Sequence, residues 1–151
     1  MKTTIIFVCL GNICRSPMAE YLFTDLLKKR EIDGVEVYSR GTSAEEEGNP
    51  CHYGTKRILD RLKIDCSAHK ARKITKSECD EADLLVCMDQ YNVWRLKDIA
   101  GGENHDKIKR LLDIAGVYGD VDDPWYTHDF ERCYKEISTG LNGLINYVKG
   151  K

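Results

Sequence analysis

A cysteine and an arginine near the start of the chain combine a nucleophile with an anion-binding group. Residues 5–18 read I-I-F-V-C-L-G-N-I-C-R-S-P-M, with Cys9 ending an apolar run and five residues separating it from Arg15. Cysteine attacks as the thiolate, which a helix N-terminus, loop N–H groups and a nearby arginine all stabilise. The same groups bind phosphate, because a planar guanidinium can contact two phosphoryl oxygens at once. We therefore predict a phosphate site with the Cys9 sulfur at its floor.

The residues around this pair are typical of a strand, a loop and the start of a helix. Gly11 and Asn12 tolerate left-handed backbone angles, which would turn loop N–H groups inward. Ser16 is expected to cap a helix that has Pro17 in its first position, and its hydroxyl can also stabilise the Cys9 thiolate. The alternative is an ordinary strand, turn and capped helix with a buried cysteine. The residues predicted to form the phosphate-binding loop are Leu10, Gly11, Asn12, Ile13, Cys14 and Ser16.

These motifs resemble those of the low-molecular-weight protein tyrosine phosphatase family. V-C-L-G-N-I-C-R-S-P-M-A-E at 8–20 is similar to the family's phosphate-binding loop, and D-D-P-W-Y at 122–126 to its later acidic motif. Less specific matches follow in the family's order: S-R-G-T-S at 39–43, G-N-P at 48–50, H-K-A-R-K-I-T at 69–75 and V-C-M-D at 86–89. The resemblance implies a phosphotyrosine-containing protein or small aryl phosphate as substrate, inorganic phosphate as product, and no metal or cofactor.

Hydrolysis of a phosphate ester needs a proton donor for the leaving oxygen and a base for the attacking water. Asp123 is the candidate, because Pro124 favours an extended backbone at the residue before it, and Asp122 is the neighbouring competitor. From the residues alone, an Asp-Pro turn in a solvated loop is the simpler interpretation. The resemblance implies that Asp123 is the general acid and base, and that Trp125 and Tyr126 form a wall of the cleft. The residues alone also allow one of these aromatic side chains to be a core residue.

The resemblance also assigns supporting and redox roles. Ser43 and His69, together with Asn12, match family positions in a hydrogen-bond network that holds the loop. His69 without that resemblance is best interpreted as a structural histidine. Cys14 is either a small space-filling residue or a redox guard that traps oxidised Cys9 as a disulfide, as in family members with this second cysteine.

The segment T-S-A-E-E-E-G-N-P departs from the family, many of whose members carry an aromatic residue at this part of the cleft rim. Here Glu45 or Glu46 occupies that position, within the acidic run Glu45–Glu47. A solvated charge run is the plain interpretation. If the run lines the rim, acidic residues beside the phosphotyrosine are repelled and basic ones are tolerated.

Rival activities share much of this pattern. Thioredoxin-coupled arsenate reductases need two further cysteines after the third strand; Cys87 lies near the first place, but Trp94 stands at the second. Phosphoarginine phosphatases tend to carry threonine at the position of Ile13, and isoleucine suits an aromatic ring better than a guanidinium. A non-enzymatic phosphoprotein binder would lack the thiol, the arginine or the acid.

The elements needed to position these residues follow an alternation of strands and helices without repeats. The predicted strands are Thr4–Cys9, 35–40, Leu84–Met88 and 107–112. The predicted helices are Pro17–Arg30, His52–Leu62, Gln90–Ile99 and Phe130–Val148. This alternation predicts an α/β fold with a parallel sheet covered on both faces, a three-layer sandwich. The resemblance implies four strands in a Rossmann-like arrangement.

Composition is consistent with one enzyme domain over residues 1–151. The chain has 42% hydrophobic residues and a net charge of −2, which argues against a nucleic-acid partner. No apolar run reaches membrane-spanning length, and T-T-I-I-F-V is too short for a signal peptide. The seven cysteines form no Cys-x-x-Cys pair, which favours reduced thiols over a disulfide framework or zinc site. We therefore expect a cytoplasmic protein with no membrane partner.

Overall fold

Four short parallel strands form the centre of the molecule. The computed structural model describes residues 2–150. The strands are β1 (Thr3–Cys9), β2 (Val35–Gly41), β3 (Leu84–Cys87) and β4 (Ile108–Arg110). They are arranged in the order β2-β1-β3-β4, with Ile5 of β1 opposite Val37 on one side and Leu84 on the other. The connections change direction at β1, so the carboxyl end of β1, which carries Cys9, lies where ligand sites form in open α/β sheets.

Helices cover both faces of this sheet, which confirms the predicted α/β sandwich. They are α1 (Arg15–Lys29), α2 (Tyr53–Arg61), α3 (Lys76–Glu81), α4 (Gln90–Ala100), α5 (Leu111–Ile114), α6 (Pro124–Thr127) and α7 (Phe130–Lys149), with a 3₁₀ helix at Gly102–Lys107. Successive residues of β1 point to opposite faces. Phe7 packs with Phe23 of α1 in one core, and Val8 packs with Leu96 of α4 in the other. No helix within residues 2–150 is long and apolar enough to span a membrane.

The predicted last strand is wrong over its second half. Only Ile108–Arg110 is extended, and Leu111 begins α5. Leu111 and Leu112 are both buried in the core that contains α1 and α7. Neighbouring residues of a strand face opposite sides, so placing both leucines on one side requires a helical turn.

Helix α3 was not predicted from the sequence, although a signal for it is present. The hydroxyl of Thr75 accepts from the N–H of Glu78, and the Glu78 carboxylate accepts from the N–H of Thr75. This reciprocal capping box marks a helix start in T-K-S-E.

Candidate active site

The loop from β1 into α1 has one left-handed residue rather than two. Asn12 has a φ of 60°, as predicted, whereas Gly11 does not have a positive φ. Gly11 has a different function in the fold, because a Cβ there would lie 3.3 Å from Cγ of Glu46. The missing side chain of Gly11 therefore leaves room for Glu46 beside the loop.

The buried Asn12 side chain connects four segments. Its Nδ2 donates to the hydroxyls of Ser16 (2.8 Å) and Ser39 (3.0 Å), and its Oδ1 accepts from the N–H of Arg72 (3.0 Å). The Asn12 carbonyl lies 2.7 Å from Nε2 of His69, and burial lowers the pKa of that ring. The neutral ring therefore donates its Nε2 proton to the loop. Together these bonds hold a backbone conformation that costs an L-residue about 1–2 kcal/mol.

Ser39, rather than Ser43, supplies the second hydroxyl of this network. The Ser43 hydroxyl accepts from the N–H of Glu45 (3.1 Å), and Ser43 contacts the loop only through its N–H, which donates to the Leu10 carbonyl (3.0 Å). Ser39 also donates to the Glu20 carboxylate (2.6 Å). Sequence reasoning gave Ser39 no role, because the choice between the two serines depends on how β2 aligns with β1.

Cys9 lies beside Ser16, but Ser16 does not cap the helix. The Cys9 sulfur is 3.0 Å from the Ser16 hydroxyl, which confirms the predicted contact, and Cys9 is only 3% exposed. Helix α1 begins at Arg15, and Cys14 in the capping position makes no side-chain cap. The hydroxyl of Ser16 faces the thiol because it lies inside the first turn. The uncapped N-terminus directs its positive dipole end at the loop, which favours a bound anion.

Arg15 is almost fully buried and is held by distant segments. One terminal nitrogen donates to the Asp89 carboxylate (2.6 Å) and the Val121 carbonyl (2.9 Å), and the other to the Asp123 carboxylate (3.4 Å). Burial alone would lower the pKa of Arg15, but Cys9, Asp123 and Asp89 together raise it above its ordinary value. Asp89 caps α4, and that role alone accounts for the residue when only the sequence is considered. In the structure, its carboxylate also holds the guanidinium of Arg15 in place. The guanidinium is therefore a permanent, positioned cation.

The two adjacent carboxylates Asp122 and Asp123 point to different places. Asp123 has the extended backbone expected before proline (φ −76°, ψ 114°), and it caps α6 by accepting from the N–H of Trp125 (3.0 Å). Its other oxygen faces Arg15. Asp122 instead pairs with Arg132 of α7 at 3.0 Å. Of the two, only Asp123 lines the cleft over Cys9.

That cleft has a volume of about 150 Å³ and brings together nine of the thirteen predicted site residues, while Asn12, Ser16, Ser43 and His69 lie outside its lining. Its lining residues are Cys9, Leu10, Gly11, Ile13, Cys14, Arg15, Glu45, Glu46, Asp123, Trp125 and Tyr126. Trp125 and Tyr126 are 52% and 72% exposed, so neither is a core residue. Both glutamates that the sequence placed at the rim are cleft residues.

The cysteines near the site are buried thiols. Burial, reinforced by Cys9, raises the pKa of Cys14 well above its ordinary value. Cys133 of α7, to which the sequence gave no role, lies close enough to the loop for the charges of Arg15 and Cys9 to act on its thiol. Burial is the main influence and raises its pKa to about 12. All seven cysteines are unpaired. Within residues 2–150, no group of His, Cys, Asp and Glu side chains could hold a metal ion.

Comparisons with known proteins agree over nearly the whole chain. A family model described as low molecular weight phosphotyrosine protein phosphatase matches residues 4–151. The low molecular weight protein-tyrosine-phosphatase YfkJ of Bacillus subtilis is 41% identical over 149 residues, 97% of this chain and 96% of that protein. The crystal structure of YfkJ superposes with a TM-score of 0.95, at 38% identity, over 99% of this chain and 96% of that one. The structure of SP-PTP, a low molecular weight protein tyrosine phosphatase from Streptococcus pyogenes, superposes with a TM-score of 0.87 at 36% identity. The match covers 97% of this chain and 93% of that one.

Proposed function

Because the chain belongs to the low molecular weight phosphotyrosine protein phosphatase family, we propose that it hydrolyses phosphotyrosine in proteins, and small aryl phosphates, through a phosphocysteine on Cys9. One observation carries this proposal. The thiol of Cys9, the guanidinium of Arg15 and the carboxylate of Asp123 line the same small cleft. A nucleophile, an anion-binding cation and a proton donor are the groups that hydrolysis of a phosphate monoester needs.

In the first half-reaction, the phosphoryl oxygens bind the loop N–H groups and Arg15. The Cys9 thiolate attacks phosphorus in line, a sulfur–phosphorus bond forms, and the bond to the phenolic oxygen breaks. Asp123 gives its proton to that leaving oxygen. The 3.4 Å contact between Asp123 and Arg15 supports this role, because it holds the carboxyl group next to the bound phosphoryl group.

In the second half-reaction, the Asp123 carboxylate takes a proton from water, and the water oxygen attacks phosphorus. The sulfur leaves as a thiolate, and inorganic phosphate is released. The Ser16 hydroxyl, 3.0 Å from the Cys9 sulfur, stabilises that leaving thiolate by donating a hydrogen bond.

The cleft walls favour an aromatic leaving group. Trp125 and Tyr126 present exposed rings, and Ile13 adds an apolar surface beside the loop. Such surfaces pack against a phenyl ring. Glu45 and Glu46, however, also line the cleft, and carboxylates pair with a guanidinium. Phosphoarginine therefore remains the second substrate to assay.

Arsenate reduction has less support. Cys87 is completely buried on β3, and Trp94 is an exposed residue of α4. Cys87 is not accessible to thioredoxin, and Trp94 has no thiol with which to form a disulfide. Cys14 lines the cleft with Cys9, which supports its proposed role as a redox guard. The seven unpaired thiols support a reducing, cytoplasmic location.

Two substitutions and a matched control test the mechanism. Turnover of p-nitrophenyl phosphate and a phosphotyrosine peptide should disappear in Cys9→Ser. Asp123→Asn should lower kcat by about 10²- to 10⁴-fold while inhibition by inorganic phosphate stays close to wild type. Asp122→Asn, which changes the neighbouring carboxylate that faces Arg132, should leave kcat nearly unchanged. Normal turnover by Cys9→Ser, or faster hydrolysis of a phosphoarginine peptide than of phosphotyrosine, would contradict the proposal.

A further inference from the structure

A second cleft lies beside the first and shares Trp125 with it. Its volume is about 320 Å³, and we call it the Arg57 cleft. Its lining residues are His52, Tyr53, Arg57, Pro124, Trp125, His128 and Phe130. Tyr53 is 73% exposed and Trp125 is 52% exposed. Because Trp125 borders both clefts, a peptide that leaves the active site past this ring passes onto the second surface.

The Arg57 cleft is rigidly joined to the catalytic loop. The main-chain N–H of His52 donates to the carbonyl of Ile13 (2.8 Å), and Nδ1 of His52 caps α2 by accepting from the N–H of Gly54 (3.1 Å). The His52 ring stacks on Phe130 at a centroid distance of 5.0 Å and meets Trp125 edge-on at 5.7 Å. The spacing between the two clefts is therefore set by packing and main-chain hydrogen bonds.

Arg57 gives this cleft a positive charge. Of the nearby acids, Glu131 is bound by Arg61, and Asp129 caps α7 by accepting from the main-chain N–H of Arg132 (2.9 Å). The pKa of Glu131 is lowered mainly by its hydrogen bond with Arg61, and the charge of Arg57 adds a smaller effect in the same direction. Within the described part of the chain, however, no carboxylate lies at ion-pair distance from Arg57, and none lines the cleft. An exposed guanidinium beside aromatic faces is suited to a carboxylate side chain.

The active-site cleft carries the opposite charge. Glu45 and Glu46 line it, and Glu46 is positioned by a hydrogen bond from the Asn49 amide (3.0 Å) and by its contact with Gly11. Negative charge therefore lines the active-site cleft, whereas the positive charge of Arg57 lines the neighbouring cleft that shares Trp125. Charge of this kind selects partners by attraction on one side and repulsion on the other.

We propose that the Arg57 cleft is a substrate subsite for an acidic residue on one flank of the phosphotyrosine, while Glu45 and Glu46 select a basic residue on the other flank. This inference rests on the proposed function and defines its substrate class: phosphotyrosine peptides with an ordered pair of opposite charges. Uniformly acidic peptides are repelled at the glutamates, and uniformly basic ones at Arg57.

The test compares five phosphotyrosine peptides of equal length. They carry lysine before and glutamate after the phosphotyrosine, the reverse order, glutamate on both sides, lysine on both sides, or alanine on both sides. One charge order should exceed its reverse in kcat/KM by at least about fivefold, mainly through KM, because each exposed pair contributes about twofold to fivefold. Raising the salt concentration should reduce this ratio, because both rims are exposed to solvent.

Variants assign the preference to its residues. Arg57→Gln should remove the preference for an acidic flanking residue, and Glu46→Gln should weaken the preference for a basic flanking residue. Arg57→Lys, which keeps the positive charge, should retain part of the preference for an acidic flanking residue. Arg57→Gln and Arg57→Lys should turn over p-nitrophenyl phosphate close to the wild-type rate. The matched controls Arg95→Gln and Glu81→Gln, which change exposed charges outside both clefts, should leave the ratio intact.

The outcomes separate this inference from the proposed function. Equal kcat/KM for all five peptides, with normal turnover of p-nitrophenyl phosphate, refutes the subsite and leaves the phosphatase activity standing. Fastest turnover of the doubly basic peptide overturns the Arg57 assignment. If no aryl phosphate is turned over, the proposed function fails. Binding of the same peptides to Cys9→Ser is then measured by fluorescence anisotropy. Tighter binding of one charge order than of its reverse confirms the subsite, and equal affinities refute it.

Discussion

Replacing Asn12 tests whether its side chain and backbone together hold the phosphate-binding loop. Asn12→Ala removes the three side-chain hydrogen bonds to Ser16, Ser39 and the N–H of Arg72. It also places alanine at a φ of 60°. Asn12→Gly removes the same hydrogen bonds but accepts the left-handed backbone without strain. The difference between the two variants therefore isolates the backbone contribution.

The magnitude follows from these contacts. Ser16 and Ser39 each keep another partner, Cys9 and Glu20 respectively, so each lost bond should cost about 1 kcal/mol rather than a full desolvation penalty. The left-handed backbone adds about 1 kcal/mol for alanine. Asn12→Ala should therefore lower the free energy of unfolding by about 4 kcal/mol, and Asn12→Gly by about 3 kcal/mol. For a chain of this size, 4 kcal/mol corresponds to a fall in Tm of about 8 to 16 °C.

Urea denaturation followed by circular dichroism measures these free energies of unfolding. Turnover of p-nitrophenyl phosphate reports whether the phosphate-binding loop keeps its conformation. Both variants should lose activity, since the loop N–H groups no longer point at one position. A loss below about 1 kcal/mol for Asn12→Ala would refute the bridging role, because it is smaller than the three hydrogen bonds predict. Equal losses for alanine and glycine would refute the backbone argument.

Three further predictions concern the thiolate, the pH response and the core. Ser16→Ala should lower kcat by about 10- to 100-fold, since a hydrogen bond to a charged group is lost, with the burst of phenol release retained in stopped-flow assays. Burial lowers the pKa of His69, so the neutral ring stabilises the folded state fully above about pH 6.5, and this stabilisation is lost as pH falls through the folded-state pKa. Between about pH 8 and pH 5, the Tm of His69→Gln should therefore fall less steeply than the Tm of the wild type. Gly140→Ala should reduce unfolding free energy by about 1–3 kcal/mol because the new methyl collides with Leu111, whereas Gly102→Ala, which meets nothing nearby, should be close to neutral in the same urea assay.

The residues that we propose to be catalytic were predictable to different degrees. Cys9 and Arg15 belong to one loop motif whose residue types indicate a nucleophile and an anion site. Asp123 was assigned by the family resemblance, because the residues alone favoured an Asp-Pro turn in a solvated loop. The sheet was predictable from the alternation of strands and helices. The end of β4 was not, because Lys107–Leu112 fits either period, and only the position of the core decides that both leucines face one side.

Supporting residues were less predictable because their roles depend on tertiary register. Ser39 reaches Asn12 because β2 pairs with β1 so that Ser39 lies opposite Phe7. Sequence spacing cannot distinguish it from Ser43. Ser16 looks like a helix cap, yet α1 starts at Arg15, two residues earlier than predicted, and turns the hydroxyl toward the thiol.

The ties of Arg15 have a consequence for how the enzyme is made. Its hydrogen-bond partners Asp89, Val121 and Asp123 lie 74, 106 and 108 positions further along the chain. During synthesis at about 5–20 residues per second, the first loop is exposed for several seconds before the last of these partners emerges. Contacts of such long sequence separation also form slowly in refolding. Recovery of turnover after dilution from denaturant should therefore report the final docking of the 121–123 segment, and not the earlier formation of the sheet.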